Sequence, residues 1–256
     1  LLNACLDRIT ETTDELKRLT KEFEAELAVL KGRVDGFEAK VGELEATRFS
    51  TTTTLSGLAT VVLGANSFGG SASDLVREAK RNSGATTLNY DVQLTFDTSF
   101  NGQDLLRTNL RAGNFAATSF LGAGPSSLST LEIAFQEECG TTADCGDVIA
   151  IDRLFYQLPI GDFTITLGGR VEQDDMLAIW PSVYPSDAVL DVLTYAGAPA
   201  AYNANLGAGA GVWWKHNGFA ISANYVAANG DGGNPEQGGI GTDGAGGTGT
   251  VQIGYS

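Results

Sequence analysis

The chain is poor in the residues from which catalytic and metal centres are usually built. Its 256 residues include 1 His, 1 Met and 3 Cys, with neither a G-x-S-x-G nucleophile motif nor a C-x-x-C pair. His216 stands beside Asn217-Gly218 and is interpreted as a solvated turn residue. Adjacent carboxylates at 137–138 and 174–175 lie in acidic loops and are interpreted as solvated. We therefore predict no enzyme, no metal site and no cofactor.

Long hydrophobic runs and positive charge are also scarce. No run approaches the roughly eighteen consecutive apolar residues of a transmembrane helix, so any membrane-spanning part must be a β-barrel. The net charge of −15 argues against a nucleic-acid partner. Residues 1–48 hold 8 of the 16 basic and 11 of the 31 acidic groups. The remainder is acidic, rich in glycine and poor in lysine, which indicates two parts of different character.

A heptad repeat runs through residues 2–44 without a change of phase, and it predicts a left-handed coiled coil. Thr13 and Thr20 at a positions, with two Phe at d positions, fit a wide, three-stranded core. The alternative is a single helix folded back on the second part of the chain. Threonines over 47–54 predict that the helix ends near Thr47. The predicted coiled-coil core comprises Leu6, Ile9, Leu16, Phe23, Leu27, Leu30, Val34, Phe37, Val41 and Leu44.

The second part alternates apolar and polar residues as β-strands do. Residues 88–100 keep one wholly apolar and one wholly polar face over about the 9–11 residues that a tilted strand needs to cross a bilayer. Short turns at 101–102, 159–162 and 216–218 are mixed with long loops such as 173–205 and 229–249. Another loop is predicted at 66–85, with one helical turn at 74–81. About nine strands are predicted by this alternation, at 51–63, 88–100, 103–115, 128–136, 148–158, 163–172, 206–215, 219–228 and 251–255.

These patterns predict a mainly β fold. It is an antiparallel transmembrane β-barrel, partial in this chain, preceded by an α-helical coiled coil. The predicted domains are 1–47 for the coiled coil and 48–256 for the barrel part.

Charged residues share the polar parity of the predicted strands. If the apolar parity faces lipid, these side chains line the lumen and set ion preference through their local field. Alternatively, they solvate an exposed face or pair across strands. The loop after Gln173 is too apolar to float freely in water, so it either narrows the lumen or packs against a neighbouring subunit. The predicted pore-lining residues are Asp91, Asp97, Arg107, Arg111, Glu132, Arg170 and Glu172.

Two further motifs have more than one interpretation. Cys139 and Cys145 lie in a polar loop, where their spacing favours a small disulfide in an oxidising compartment over a metal site. Glycines alternate at 207, 209 and 211, but no helix follows, so the dinucleotide-binding interpretation fails. Glycines placed in this way on a strand allow close backbone approach or barrel curvature.

Several stretches resemble a known family. The segments LNACLDRITETTDELKRL, ELAVLKGRVDGFEAKVGELEATRFSTTT, LLRTNLRAGNF and IDRLFYQLPIGDFTITLGGRVEQDDM resemble the cyanobacterial outer-membrane porins. These porins carry an S-layer-homology domain, a coiled-coil spacer and an OprB-like barrel of the carbohydrate-selective, or iron-uptake, porin group. The resemblance implies that residues 1–9 are the tail of the first domain and that 48–256 form the N-terminal half of a barrel.

The same resemblance implies the expected function and partners. We expect passive diffusion of small hydrophilic solutes and inorganic ions across the outer membrane, with sugars and iron as further solutes named for the family. The expected assembly is a homotrimer through coil and barrel, embedded in outer-membrane lipid. Its coil stands in the periplasm, and an N-terminal domain contacts the cell wall. The alternative is a structural tether between outer membrane and peptidoglycan with little conductance.

Overall fold

The computed structural model describes residues 2–47, 52–115, 127–137, 146–197, 202 and 204–255. The chain divides into two compact units, Leu1–Thr51 and Thr52–Ser256. Helix α1 makes up the first unit, and a β-sheet with its connections makes up the second.

Helix α1 covers Leu2–Thr47 and confirms the predicted helix and its end before the threonine run. Where their side chains are described, the predicted core residues are 47% to 66% exposed: Leu16, Phe23, Leu27, Leu30, Val34 and Phe37. The side chains of Leu6, Ile9, Val41 and Leu44 lie outside the described residues. The helix thus presents a long apolar stripe to solvent, and the coiled coil itself stays a prediction.

The second unit is built on one antiparallel sheet in which each strand pairs with its neighbours in sequence. This order confirms the prediction of a mainly β, antiparallel fold. Strands β1 and β8 are the two edges, and among the described residues they do not pair with each other, so this sheet is not closed. The eight strands are β1 Thr53–Gly64, β2 Thr87–Thr98, β3 Leu105–Gly113, β4 Ala150–Ile160, β5 Phe163–Glu172, β6 Leu206–His216, β7 Phe219–Ala227 and β8 Gly247–Tyr255.

Short and long connections fall at opposite ends of the sheet. The β2–β3, β4–β5 and β6–β7 connections are short, and the other four are long. Gly161, Asn217 and Gly218 have φ values of 60°, 49° and 81°, the left-handed conformations that tight hairpins need. In the β2–β3 turn, Asp104 Oδ1 accepts hydrogen bonds from the amides of Phe100 and Asn101, both at 2.9 Å. The sequence pattern located all three short turns.

Two sequence predictions need correction. The strand predicted at 128–136 is wrong: Ser127–Ser129 form a 3₁₀ turn, and the following residues contribute only an isolated bridge between Leu131 and Leu190. The described part of the chain therefore has eight strands rather than about nine. The 66–85 loop was expected to hold one helical turn at 74–81, but a longer helix, α2, covers Ser73–Ser83.

The sheet has two unlike faces, which we call the apolar face and the polar face. The polar face carries most of the buried residues of this unit and is covered by parts of two long connections. Its two small hydrophobic clusters are centred on Met176 and Phe115. Among the described residues, no helix is both long and apolar enough to cross a membrane. Exposed side chains of the apolar face include Leu63, Leu88, Val92, Leu94, Leu167, Val212, Ile221, Val251 and Ile253.

Candidate functional site

The candidate site is the polar face together with residues 127–137 and 173–193, which we call the cover. The two parts of the cover are joined to each other. The amide of Glu132 donates a hydrogen bond to the carbonyl of Val189 at 3.2 Å. The amide of Asp191 donates one to the carbonyl of Thr130 at 3.1 Å. These bonds flank the Leu131–Leu190 bridge, so the two segments form one layer.

Arginine–aspartate pairs link β2 to β3 on the polar face. Arg107 lies directly opposite Asp97, and its Nε and Nη2 atoms each lie 2.8 Å from a carboxylate oxygen. Arg111 reaches Asp91, with an Nη2–Oδ2 distance of 2.5 Å. The first pair is about one-third exposed, whereas the side chains of Arg111 and Asp91 are at most 5% exposed.

A third arginine, Arg153 on β4, collects three carboxylates. Its Nη1 lies 2.8 Å from Asp152 Oδ1, its Nε lies 2.9 Å from Asp175 Oδ2, and Nη2 pairs with Glu172. Asp152 is the extra residue of a bulge, because Asn109 pairs with Arg153 and Leu110 with Ile151. The bulge brings Asp152 and Arg153 into one network, where Asp152 also lies 3.8 Å from Arg111 Nη1.

The fourth arginine of the strands, Arg170, connects β5 to the cover. It follows a register shift in β5, and its guanidinium pairs with the buried carboxylate of Glu137. Burial, followed by hydrogen bonding with Asp152, raises the pKa of Glu137 to about 8. All four arginines on the strands are therefore already matched to carboxylates.

Glu132 lies in the cover, on no strand of the sheet, although the sequence placed it in one. Burial and then the nearby Asp191 carboxylate raise the pKa of Glu132 to about 8. A protonated carboxyl group can share its proton with a neighbouring carboxylate, which adds a bond between the two parts of the cover.

The cover contacts the sheet from β3 to β8. The Phe135 ring packs 3.3 Å from the Arg111 guanidinium carbon, so Arg111 and Asp91 lie beneath the cover. Gln157 Nε2 donates to the Asp175 carbonyl at 3.1 Å. Ile179 and Gln252 exchange two hydrogen bonds of 3.2 and 2.9 Å. Residues 173–179 thus run across the polar face to the last strand.

The predicted site residues are partly brought together. Asp91, Asp97, Arg107 and Arg111 share the polar face as predicted, and all four are paired across strands. Glu172 joins Arg153, while Arg170 joins Glu137. Whether these residues line a pore stays a prediction.

Several residues of the network were missed by the sequence patterns. Asp152, Arg153, Asp175 and Glu137 belong to it, although the two loop carboxylates had been interpreted as solvated. The adjacent, oppositely charged Asp152 and Arg153 were the available signal, because only a bulge lets neighbouring residues of one strand share a face.

Two expectations concern cysteines and metals. Cys139 and Cys145 lie outside the described residues, so their disulfide remains a prediction. Within the described ranges, no group of three or more His, Cys, Asp and Glu side chains could hold a metal ion.

Comparison with known proteins finds one matching family and similar cyanobacterial proteins. The model of a family described as carbohydrate-selective porin, OprB family, matches residues 10–256. An uncharacterized protein of Nostoc is 38% identical over 192 residues, which cover 66% of this chain and 30% of that protein. An uncharacterized protein of Synechocystis is 28% identical over 247 residues, which cover 89% of this chain and 41% of that protein. The chain thus spans well under half the length of these relatives. No solved structure matches it.

Proposed function

We propose, because this chain belongs to the OprB family of carbohydrate-selective porins, that its sheet forms part of the wall of a channel for small hydrophilic solutes. The family consists of non-enzymatic channels of the outer membrane. The proposal concerns how this sheet serves such a channel and which solutes pass.

The observation that carries the proposal is the inverted arrangement of the sheet. Apolar side chains at mid-strand, such as Leu94 and Val212, are 40% and 39% exposed, whereas Asp91 and Arg111 are 1% and 5% exposed. In water, a sheet buries its apolar face and exposes its polar one. Lipid outside and water inside reverse that preference, as in outer-membrane barrels. The apolar face accordingly faces lipid in our proposal.

In our proposal the closed wall contains more strands than these eight. The matched parts make up only 30% and 41% of the two relatives, and β1 and β8 have unpaired edges among the described strands. Open edges are not viable in hydrocarbon. We propose that further strands of the full-length protein pair with β1 and β8 and close the barrel.

The solute path runs along the polar face where the cover leaves it open. Asp97 and Arg107 remain about one-third exposed there, so we assign them to the pore lining, while Asp91 and Arg111 hold the cover from beneath. The cover narrows the path, in line with the interpretation of the 174–205 loop as a lumen segment.

Charge favours inorganic cations among the solutes. The strands hold 4 acidic and 5 basic residues, whereas the four long connections hold 14 acidic and only 3 basic ones. The three basic residues, Arg77, Lys80 and Arg81, all lie on α2. A surplus of negative charge at one end of a channel concentrates cations and repels anions.

Single-channel conductance of the full-length protein in a planar bilayer tests this proposal. We expect large steps and, under a salt gradient, a reversal potential of the sign that marks cation preference. Correctly folded protein that gives no steps would contradict the porin function. Steps with anion preference would contradict only the solute class.

The exposed stripe of α1 supports a second proposal, that three copies join through a periplasmic coiled coil. Leu30→Asp with Phe37→Asp places charge in the proposed seam, and the exposed Glu38→Gln change serves as control. We expect the double variant to reduce the trimer fraction in detergent while conductance per channel persists. If conductance disappears with the coil, or if the trimer is unaffected, the coil has a different role. A pure wall tether would show no conductance in any variant.

A further inference from the structure

The three alternating glycines of β6 lie on the polar face. The register pairs Gly209 with Val226 and Gly211 with Asn224, two residues of the covered side. A Cβ atom on Gly207 would collide with the Ala227 backbone, so this position allows close strand approach, as the sequence indicated. The other two glycines have a different neighbour.

Gly209 and Gly211 leave room for apolar side chains from the start of the cover and the end of β5. A Cβ on Gly211 would lie 2.8 Å from Met176 Sδ, 2.9 Å from Cβ of Asn224 on β7 and 3.0 Å from Met176 Cβ. A Cβ on Gly209 would lie 2.8 Å from Val171 Cγ1. Met176 and Val171 are both 0% exposed, and they form one apolar cluster with Phe155 and Val226. This cluster is an apolar contact on a face that is otherwise polar.

Polar bonds fix the residues on either side of Met176. Asn224 Nδ2 donates to the Gln173 carbonyl at 3.1 Å. Asp175 Oδ2 accepts from Arg153 Nε at 2.9 Å and from the Glu172 amide at 3.0 Å. These bonds fix the direction in which residues 173–176 run, whereas the contact between Met176 and Gly211 determines how closely these residues approach β6. Because the contact includes Met176 Cβ, an atom attached to the backbone, the whole segment depends on it.

We infer that the absence of a side chain at Gly211 makes room for Met176, and that this contact positions the cover and thereby sets the size limit of the channel. The inference rests on the proposed porin function. In this role Met176 and Gly211 are positioning residues, since they need not touch the solute.

The inference accounts for glycine at this position better than strand curvature alone. Gly169, on β5, has no atom within 4 Å of an added Cβ, so a methyl group there meets open space. At Gly211 the same methyl group meets the cover. The two positions therefore form a matched pair for one substitution.

The experiment compares Gly211→Ala, Met176→Ala and the double variant in full-length protein in planar bilayers, with Gly169→Ala as control. The added methyl group pushes the cover away from the wall and into the path. We expect Gly211→Ala to lower single-channel conductance by about twofold, because pore diameter controls permeation. Gly169→Ala should leave it unchanged.

The double variant gives the sharper result. Met176→Ala removes Sδ, the Met176 atom that the new methyl group would meet most closely, but keeps Cβ, so the double variant should regain part of the wild-type conductance. General damage to the fold would instead add up in the double variant. Met176→Leu, which keeps the side-chain volume, should conduct as wild type.

The outcomes separate the two proposals. If wild type conducts but Gly211→Ala has the same conductance as Gly169→Ala, the contact between Gly211 and Met176 does not position the cover and the inference is wrong. The same holds if the double variant is worse than either single variant. If Gly211→Ala fails to insert, Met176→Ala decides alone: a loosened cover should increase open-channel noise, and wild-type noise contradicts the inference. Folded wild type without channels contradicts the porin function itself.

Discussion

The two faces of the sheet are built from the same alternating strands, but one exposes apolar side chains and the other buries charged ones. The apolar face has no ion pair among the described residues, and many of its mid-strand side chains are exposed. The polar face buries charge in pairs and carries an ordered cover. The polar face is thus covered by the chain itself, whereas we propose that the membrane covers the apolar face.

Breaking a buried pair of the polar face should have the largest effect. Arg111→Met keeps length but leaves the buried Asp91 without its cation, at a cost of about 3–5 kcal/mol in the free energy of unfolding. Arg107→Met affects a pair that is about one-third exposed, and it should cost about 0.2–1 kcal/mol. Denaturant titration of vesicle-inserted protein, followed by tryptophan fluorescence, measures both. Equal costs would mean that the cover does not exclude water from Arg111.

Placing charge on the two faces tests their environments directly. Leu94 and Leu58 lie at the same height on neighbouring strands, and they are 40% and 46% exposed, but they belong to opposite faces. Leu94→Arg should destabilise the inserted protein by about 2–4 kcal/mol if it lies near the bilayer midplane. Leu58→Arg, on the water side, should cost much less. The same titration in vesicles decides, and a larger cost at Leu58 would reverse the assignment of the faces.

The pH dependence of the cover gives the smallest and most local effect. Glu132 has a folded pKa of about 8 against an ordinary value of 4.5, so the folded state holds an extra proton between these values. The stability of the cover should therefore fall as pH rises from about 5 to about 8, and level off above. Exchange protection of the Glu132 and Asp191 amides, corrected for intrinsic rates, reports this change.

Glu132→Gln stays neutral at every pH and should show a smaller slope than wild type. The remaining slope is assigned to Glu137, which also lies in the cover with a pKa raised to about 8, so Glu132→Gln combined with Glu137→Gln should show flat protection. Glu236→Gln, an exposed residue of another long connection, should keep the wild-type slope. If Glu132→Gln keeps the full wild-type slope, the responsible proton is not on Glu132.

The strands were predictable because alternation reports a face, whatever covers it. β5 begins and ends at the predicted residues, and β2 and β7 differ from prediction by one or two. The same signal was wrong at 128–136, where Leu131 and Ala134 are buried by packing the cover against Phe115. Alternation of apolar and polar residues cannot distinguish a strand from an extended segment that lies on a sheet, because both have buried residues at short, regular intervals.

The site was less predictable because it depends on register and bulges. Parity placed Asp91 and Arg111 on one face, but their pairing depends on the alignment of β2 with β3. Asp152 enters the network only through an extra residue in β4. Glu137 and Asp175 lie in loops, and the sequence does not indicate which strand a loop residue contacts. Local patterns therefore found the face, while long-range pairing decided which charges meet.

The connection order of the sheet has a consequence for how the protein assembles. Every strand pairs only with its neighbours in the chain, and three pairs are joined by short turns. Such hairpins close quickly and at little entropic cost, because their contacts are local. The cover, by contrast, bridges residues about sixty positions apart, as at Leu131 and Leu190. We therefore expect the wall to form hairpin by hairpin, with the channel narrowing only after its wall has been laid down.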